Sequence, residues 1–565
     1  MRPATFKQML WTCLVVMCLT ASLTAADAVI KGVVTDTAGK PVSGASVSVS
    51  AGIKTTTRFT QSDGRYEIAV PAGTYDLTVD AYGYGIKRES VDTAKAGSTD
   101  FQMKAAGTLD LARLTGAEME SLLPDTPDAR NLKSRCIDCH SFPTVLHGRG
   151  STVGEWKVIL RNMVKGATGE PFANAPEPEV TYIAEALAKY FGSDSPNFGA
   201  DADPLTPDKI KHVGLSPEAM QATVVQFDVP TKVSRPHSIE VDTKNNIAWF
   251  AEESFYGNKI ARFDIDTEKF TEYPLPKPNL RPHTGALASD GTYWVALANT
   301  TNESKLASCD PKTGEVKLYD WPEETKYQAH TIQFDKKGNI WFSGGPSGEL
   351  WTFDVETKKF KMYKNPYPDA TYPKGSRMEW EETPGQPKLA PFNAPYDVTA
   401  DNDGNIWFAM ISLGLFTRLN PATGETKTIR PEGTISIRGI ISDPDDNIWF
   451  GDFHGHRFGK INAKTLAVKF YKPPTPNATA YGVSYNKADG NVWYADMNGN
   501  NITRFNIKTE QFTEFPIPQR PDHAYARFIG ADAQGRMWFT EYFGDRIGFV
   551  DPSGKSGSRI ASAAR

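Results

Sequence analysis

Val180, Ile183, Ala184, Leu187 and Phe191 fall at i, i+3, i+4, i+7 and i+11, which is one apolar face of an α-helix. Residues 109–123, 128–135 and 154–164 also have helical spacing, so residues 108–193 predict a small all-α domain. The preceding stretch has a different period. Residues 29–34, 45–49, 66–70 and 75–79 alternate apolar and polar positions, as in Tyr75-Asp76-Leu77-Thr78-Val79, between turn signals at Gly39, Pro41, Gly52 and Pro71. Residues 29–105 therefore predict a β-sandwich with one buried face.

From residue 235 onward the pattern repeats. Trp249-Phe250, Trp294-Val295, Trp341-Phe342, Trp407-Phe408, Trp449-Phe450, Trp493-Tyr494 and Trp538-Phe539 recur at spacings of 45, 47, 66, 42, 44 and 45. A turn such as Asp335-Lys336-Lys337-Gly338-Asn339 precedes each pair, and short strands follow. That period, with four strands per unit, predicts a seven-bladed β-propeller over residues 224–553. The strand at 224–230 precedes the first repeat, while the last repeat stops at Pro552 without a fourth strand, so the early strand is expected to complete the seventh blade. The 66-residue spacing places an insertion at 363–393 over one face of the propeller. The fold class read from this is multidomain and mainly β, with a linker at 194–223 and a flexible tail at 554–565.

Composition adds the compartment. Arg2 and Lys7, an apolar run at 9–19 and small residues up to Ala28 read as a signal peptide, predicting a periplasmic or secreted protein. A net charge of -5 and a pI near 6.1 give no reason to expect nucleic-acid binding. Membrane association is not required by any later segment.

Cys136-Ile137-Asp138-Cys139-His140 is a C-x-x-C-H run, whose thiols can add to two haem vinyl groups with the histidine as proximal ligand. A zinc reading needs a second pair of soft ligands, which the sequence lacks. Met163 is the leading sixth ligand, with His147 or an open iron site as alternatives; one covalent haem c is the cofactor expected. The order helix, C-x-x-C-H, helix, loop, helix resembles a small cytochrome c, which implies electron transfer.

Aligning the repeats on tryptophan gives a column about eleven residues upstream: His237, His283, His330, Tyr396, Arg438, Tyr481 and Arg527. It starts the innermost strand of each blade, so the seven side chains should converge on the channel mouth. Three of the chain's nine histidines stand in this one column. A second column, three residues after tryptophan, reads Glu252, Leu297, Gly344, Met410, Asp452, Asp496 and Glu541. Its carboxylates near the mouth are candidates for a divalent metal, and His454 and His456 extend the column near Asp452.

Two further resemblances follow. Gly32-x-Val34-x-Asp36-x-x-Gly39-x-Pro41 with Asp63-Gly64-x-Tyr66 resembles the carboxypeptidase regulatory-like domain, implying a seven-stranded sandwich used as a spacer or for glycan contact. Arg235-Pro236-His237-Ser238-Ile239, Trp249-Phe250-Ala251-Glu252-Glu253 and Trp538-Phe539-Thr540-Glu541 resemble the streptogramin (virginiamycin B) lyase family. That resemblance implies opening of a cyclic depsipeptide by elimination, with a histidine base and a carboxylate-bound Mg²⁺. The family has glutamate two residues before its base, whereas Arg235, Arg281 and Gln328 stand there in this chain. His237 with Glu253 is the nearest equivalent pair. The first functional reading is an exported haem protein whose propeller mouth binds an organic substrate or a redox partner protein. The alternatives are a carbon–oxygen lyase with an accessory cytochrome, and a non-enzymatic redox scaffold.

Overall fold

The computed structural model describes residues 27–95, 97–137, 142–162, 177–199, 202–298, 305–320, 329–344, 349–364, 395–411, 413–518 and 525–557. The stretch before Asp27, which includes most of the expected signal peptide, the 365–394 part of the expected insertion and the tail after 557 lie outside them.

The alternating segment folds as β1 (Asp27–Asp36), β2 (Ser46–Ala51), β3 (Lys54–Phe59), β4 (Arg65–Pro71), β5 (Thr74–Asp80), β6 (Lys87–Asp92) and β7 (Phe101–Met103). One sheet has the order β4-β1-β7 and the other β3-β2-β5-β6. Ile30, Val34, Val47, Ile68, Leu77 and Val79 fill the space between them.

Helical spacing at 109–123 is realised differently from the expectation of one helix. A 3-10 turn at Leu111–Arg113 ends at Leu114, whose backbone is extended, and Thr115 starts α1 (Gly116–Ser121). The break is chemical: Thr115 and Glu118 form a reciprocal capping box that satisfies the first amides of a new helix. Next come α2 (Pro127–Cys136), α3 (Val153–Asn162) and α4 (Glu177–Phe191), and the expected linker contains α5 (Pro217–Gln221). The apolar face of α4 is buried with Phe142, Trp156 and Leu160.

Residues 223–551 are propeller-like. Among the described residues they form seven four-stranded antiparallel sheets, six of them from consecutive strands. The innermost strands are Pro236–Asp242, Pro282–Leu287, Ala329–Phe334, Pro395–Ala400, Ile437–Ser442, Ala480–Asn486 and Ala526–Ala531. Each lies beside the next, and the last lies beside the first. The repeated tryptophan explains the stacking: Trp249 packs with Tyr293 and Val295 of the following sheet, and Trp538 packs with Ile239 and Ala248 of the first. Five of the seven indoles also donate to the aspartate of the preceding turn, as in Trp341 to Asp335 at 2.9 Å and Trp449 to Asp443 at 2.7 Å.

In the seventh sheet the outer strand is β8 (Thr223–Asp228), paired antiparallel with Arg546–Asp551. The other edge of β8 carries a partner that the sequence did not suggest. β3 of the sandwich pairs with it from Lys54↔Phe227 to Arg58↔Thr223, making one continuous eight-stranded sheet.

The helical segment sits on the propeller mouth. Leu114, Met119 and Leu132 share one apolar cluster with Ile411, Phe453, Tyr481, Met497, Tyr525 and Tyr542. At the contact the Ala117 amide donates to the Asn498 carbonyl at 2.9 Å. The approach at Gly116 is close: a Cβ there would lie 1.9 Å from Asn498 Oδ1 and would displace that side chain.

Candidate functional site at the propeller mouth

All seven residues of the first column occupy the second position of their innermost strands, and the structure brings them into a chain of contacts. Ring centroids are 3.6 Å apart for His237 and His283, 4.3 Å for His283 and His330, and 4.1 Å for His330 and Tyr396. Tyr396 and Tyr481 share a hydroxyl–hydroxyl hydrogen bond. The Arg438 guanidinium lies 4.6 Å from the Tyr396 ring and that of Arg527 lies 3.9 Å from the Tyr542 ring. Cation–π contacts of this kind let charged groups remain among aromatic faces.

The entry to the first two strands is strained. Arg235 and Arg281 precede Pro236 and Pro282, yet adopt φ of 54° and 55°. A residue before proline ordinarily takes extended backbone, and left-handed arginine is uncommon. Asp545 holds the first turn by accepting from the Arg235 amide at 3.2 Å; Asn258 holds the second by accepting from the Leu280 amide at 2.8 Å.

Glu253, one residue beyond the strand Ile247–Glu252, is the buried carboxylate of the mouth. Arg281 Nη2 donates to its Oε1 at 2.6 Å and the Tyr542 hydroxyl to its Oε2 at 2.8 Å. Burial opposes its charge, but His283, Arg281, Arg527 and Tyr542 together hold its pKa down to about 2. The imidazoles are shifted the other way. Burial lowers His283 to about 4 against the attraction of Glu253, and it lowers His237 and His330 well below 6.5. All three rings are therefore neutral at neutral pH. His237 Nδ1 faces the His283 carbonyl at 3.2 Å and His330 Nδ1 faces the Tyr396 carbonyl at 3.1 Å. A carbonyl only accepts, so these nitrogens carry the proton and each Nε2 keeps its lone pair. His330 is half-buried and retains access to the mouth, whereas His237 and His283 are buried.

The second column is used differently from the expectation. Glu252, Asp452, Asp496 and Glu541 join no metal-capable group of three among the described residues. Each sits opposite a residue of the next strand of its own blade: Lys259, Arg457, Asn501 and Arg546. Asp452 pairs with Arg457 at 2.6 Å, and Glu541 pairs with Arg546 at 2.6 Å. These carboxylates tie neighbouring strands of one blade together. His456 likewise turns towards the helical cap, 3.9 Å from Glu120, while His454 packs against Phe453.

The group that could hold a divalent ion is His237, Glu253 and His283. The Mg²⁺ implied by the lyase resemblance does not fit it, because Mg²⁺ selects oxygen ligands and two of these three donors are imidazole nitrogens. Cys136 ends α2 at the margin of the apolar cluster. Cys139, His140 and Met163 lie outside the described residues.

Two functional side chains escaped the sequence reading. Arg281 was visible only as a departure from the lyase pattern. Tyr542 stands four residues after Trp538, the same offset as Glu253 from Trp249, and a third aligned column would have found it.

Residues 388–561 match the virginiamycin B lyase family, and residues 29–105 match the carboxypeptidase regulatory-like domain. Virginiamycin B lyase from Saccharopolyspora erythraea is 38% identical over 88 residues, covering 16% of this chain and 29% of that protein. The matched stretch thus spans less than a third of that curated relative. Among solved structures, virginiamycin B lyase from Staphylococcus aureus is 21% identical, covering 58% of this chain and 99% of that one with a TM-score of 0.48. A streptogramin B lyase structure is 20% identical, covering 58% and 97% with a TM-score of 0.49. The chain carries a carboxypeptidase regulatory-like domain and a virginiamycin B lyase-like propeller.

Proposed function

We propose that the propeller mouth is the active site of a carbon–oxygen lyase that opens an ester, of the cyclic depsipeptide class, by elimination. The observation that carries this reading is the set of three touching, neutral imidazoles, of which His330 alone reaches the mouth. His330 Nε2 is the base: it takes the proton on the carbon α to a carbonyl. The C–H electron pair becomes a C=C bond, and the β carbon–oxygen bond breaks with its pair left on a carboxylate. Arg438 and Arg527, on the opposite arc of the ring, supply positive charge for the developing enolate and the departing carboxylate. The strained turns at Arg235 and Arg281 and the Tyr396 carbonyl keep the imidazoles in register.

Mass spectrometry of a streptogramin B-type depsipeptide incubated with the full chain tests this. Elimination gives a linear product of unchanged mass, while hydrolysis adds one water. His330→Ala is expected to lower kcat/KM by about 10²–10⁴-fold. A wild-type protein that yields only the hydrolysed product, or none, overturns the reading.

Electron transfer is a second reading, favoured by the packing of the Cys136 helix on the same mouth as Tyr481 and Tyr542. Cys136 and Cys139 would hold the haem and His140 and Met163 would ligate its iron, and the group would supply one-electron transfer when bound. Protein exported by a haem-attaching host should retain haem through acid–acetone extraction and lose it in Cys136→Ala. Haem-free protein from that host defeats this second reading.

A further inference from the structure

The spacing between Glu253 and its two histidines is not that of hydrogen bonding. His237 Nε2 lies 4.0 Å from Glu253 Oε2, and His283 Nδ1 lies 3.8 Å from Glu253 Oε1. Both contacts exceed hydrogen-bond range, and both nitrogens are buried with no hydrogen-bond partner. Two orphaned nitrogens beside a buried carboxylate are costly unless something lies between them. Metal–ligand bonds of about 2.0–2.2 Å put ligand atoms roughly 3–4 Å apart, which is the spacing found here. The three candidate donor atoms all lie within 4.8 Å of one another.

The surroundings are those of a metal site's supporting shell. The His283 carbonyl fixes the proton on His237 Nδ1 and so aims the Nε2 lone pair at the gap. Arg281 and Tyr542 hold one lone pair on each carboxylate oxygen and orient Glu253, leaving its remaining lone pairs for an ion. We propose that His237, His283 and Glu253 bind one divalent transition metal of the zinc class, with its open positions towards the mouth. Two imidazoles and one carboxylate select such a borderline ion over Mg²⁺. Arg281 and Arg527 stand close by, so the site carries excess positive charge once metallated, and its open positions should take an anionic oxygen ligand such as a carboxylate. The site goes beyond the elimination reading and stands or falls independently of it, since His330 is not a ligand.

Elemental analysis of the full-length protein provides the test. Protein stripped with chelator and dialysed against Zn²⁺ should retain one equivalent, counted separately from any haem iron, and Co²⁺ should replace it with a visible d–d absorption band. Mg²⁺ in excess should not compete. His237→Ala, His283→Ala and Glu253→Gln should each weaken Zn²⁺ binding at least tenfold, Tyr542→Phe about 10–100-fold as an orienting partner, and His330→Ala should leave the metal content unchanged. Wild-type protein with no cobalt band, or Zn²⁺ retention unaffected by His283→Ala, overturns the proposal whether or not depsipeptide is turned over.

Discussion

Glu253 is the residue on which the mouth turns, because it is a buried carboxylate facing arginine, tyrosine and two imidazoles. Removing Arg281 leaves that charge without its closest cation. Arg281→Ala is therefore expected to destabilise the protein by about 3–5 kcal/mol, read from urea unfolding. The same cluster sets a pH dependence. His283 titrates at about 4 when folded and near 6.5 when unfolded, so the unfolded chain binds the extra proton and stability falls as pH drops from 6.5 towards 4. Glu253 adds a second loss between 4.5 and about 2, where its folded carboxylate resists protonation. Melting temperature measured across this range should fall in both windows, and His283→Gln should reduce the fall in the upper one, to which His237 and His330 also contribute. The seven ring positions were legible in the sequence because the repeat supplies its own alignment. Arg281 and Tyr542 were not, since each reaches Glu253 across blades, and no period within one blade encodes that.

At the scale of elements, the tryptophan repeat is a strand and a turn in one. The Asp443 carboxylate accepts from the Trp449 indole at 2.7 Å and from the amides of Asp445 and Asn447, each at 2.9 Å. Asp443→Ala orphans those donors together and should cost about 2–3 kcal/mol, read as a shift of the denaturant midpoint. The cap helix α1 carries a different sensitivity. Glu120 is fully buried, and burial raises its pKa to about 8 despite Lys133 and the Asn498 bond. The folded state holds its proton where the unfolded chain has released it, so the contact weakens as pH rises from 4.5 to about 8. The protection of α1 amides, taken relative to intrinsic base-catalysed exchange, should fall over that range, and Glu120→Gln should remove the fall. The apolar period of α4 announced a helix because one face of it is buried throughout. Residues 109–123 misled because their apolar positions serve the propeller mouth, while Thr115 and Glu118 restart the helix.

For the whole molecule, the informative contact is the one between domains. β3 reads Lys54-Thr55-Thr56-Thr57-Arg58-Phe59, with no apolar alternation to mark it as a strand, so its junction with β8 could not be read in advance. Arg58 reinforces it, donating to Thr223 Oγ1 at 2.7 Å and to the Gly554 carbonyl at 2.8 Å. Protein truncated to begin at residue 106 would expose the outer edge of β8, and an unpaired edge recruits other edges. Light scattering should show that truncated form self-associating while the full chain does not.

The double pairing of β8 also bears on biosynthesis. β8 leaves the ribosome ahead of all seven blades, and its propeller partner, Arg546–Asp551, is made almost last. For nearly the whole of translation it has no blade to join. The sandwich is complete before β8 emerges, and β3 offers it a ready edge. The N-terminal domain can thus act as a built-in holdase, keeping the strand extended and occupied until the seventh blade arrives to take its other side.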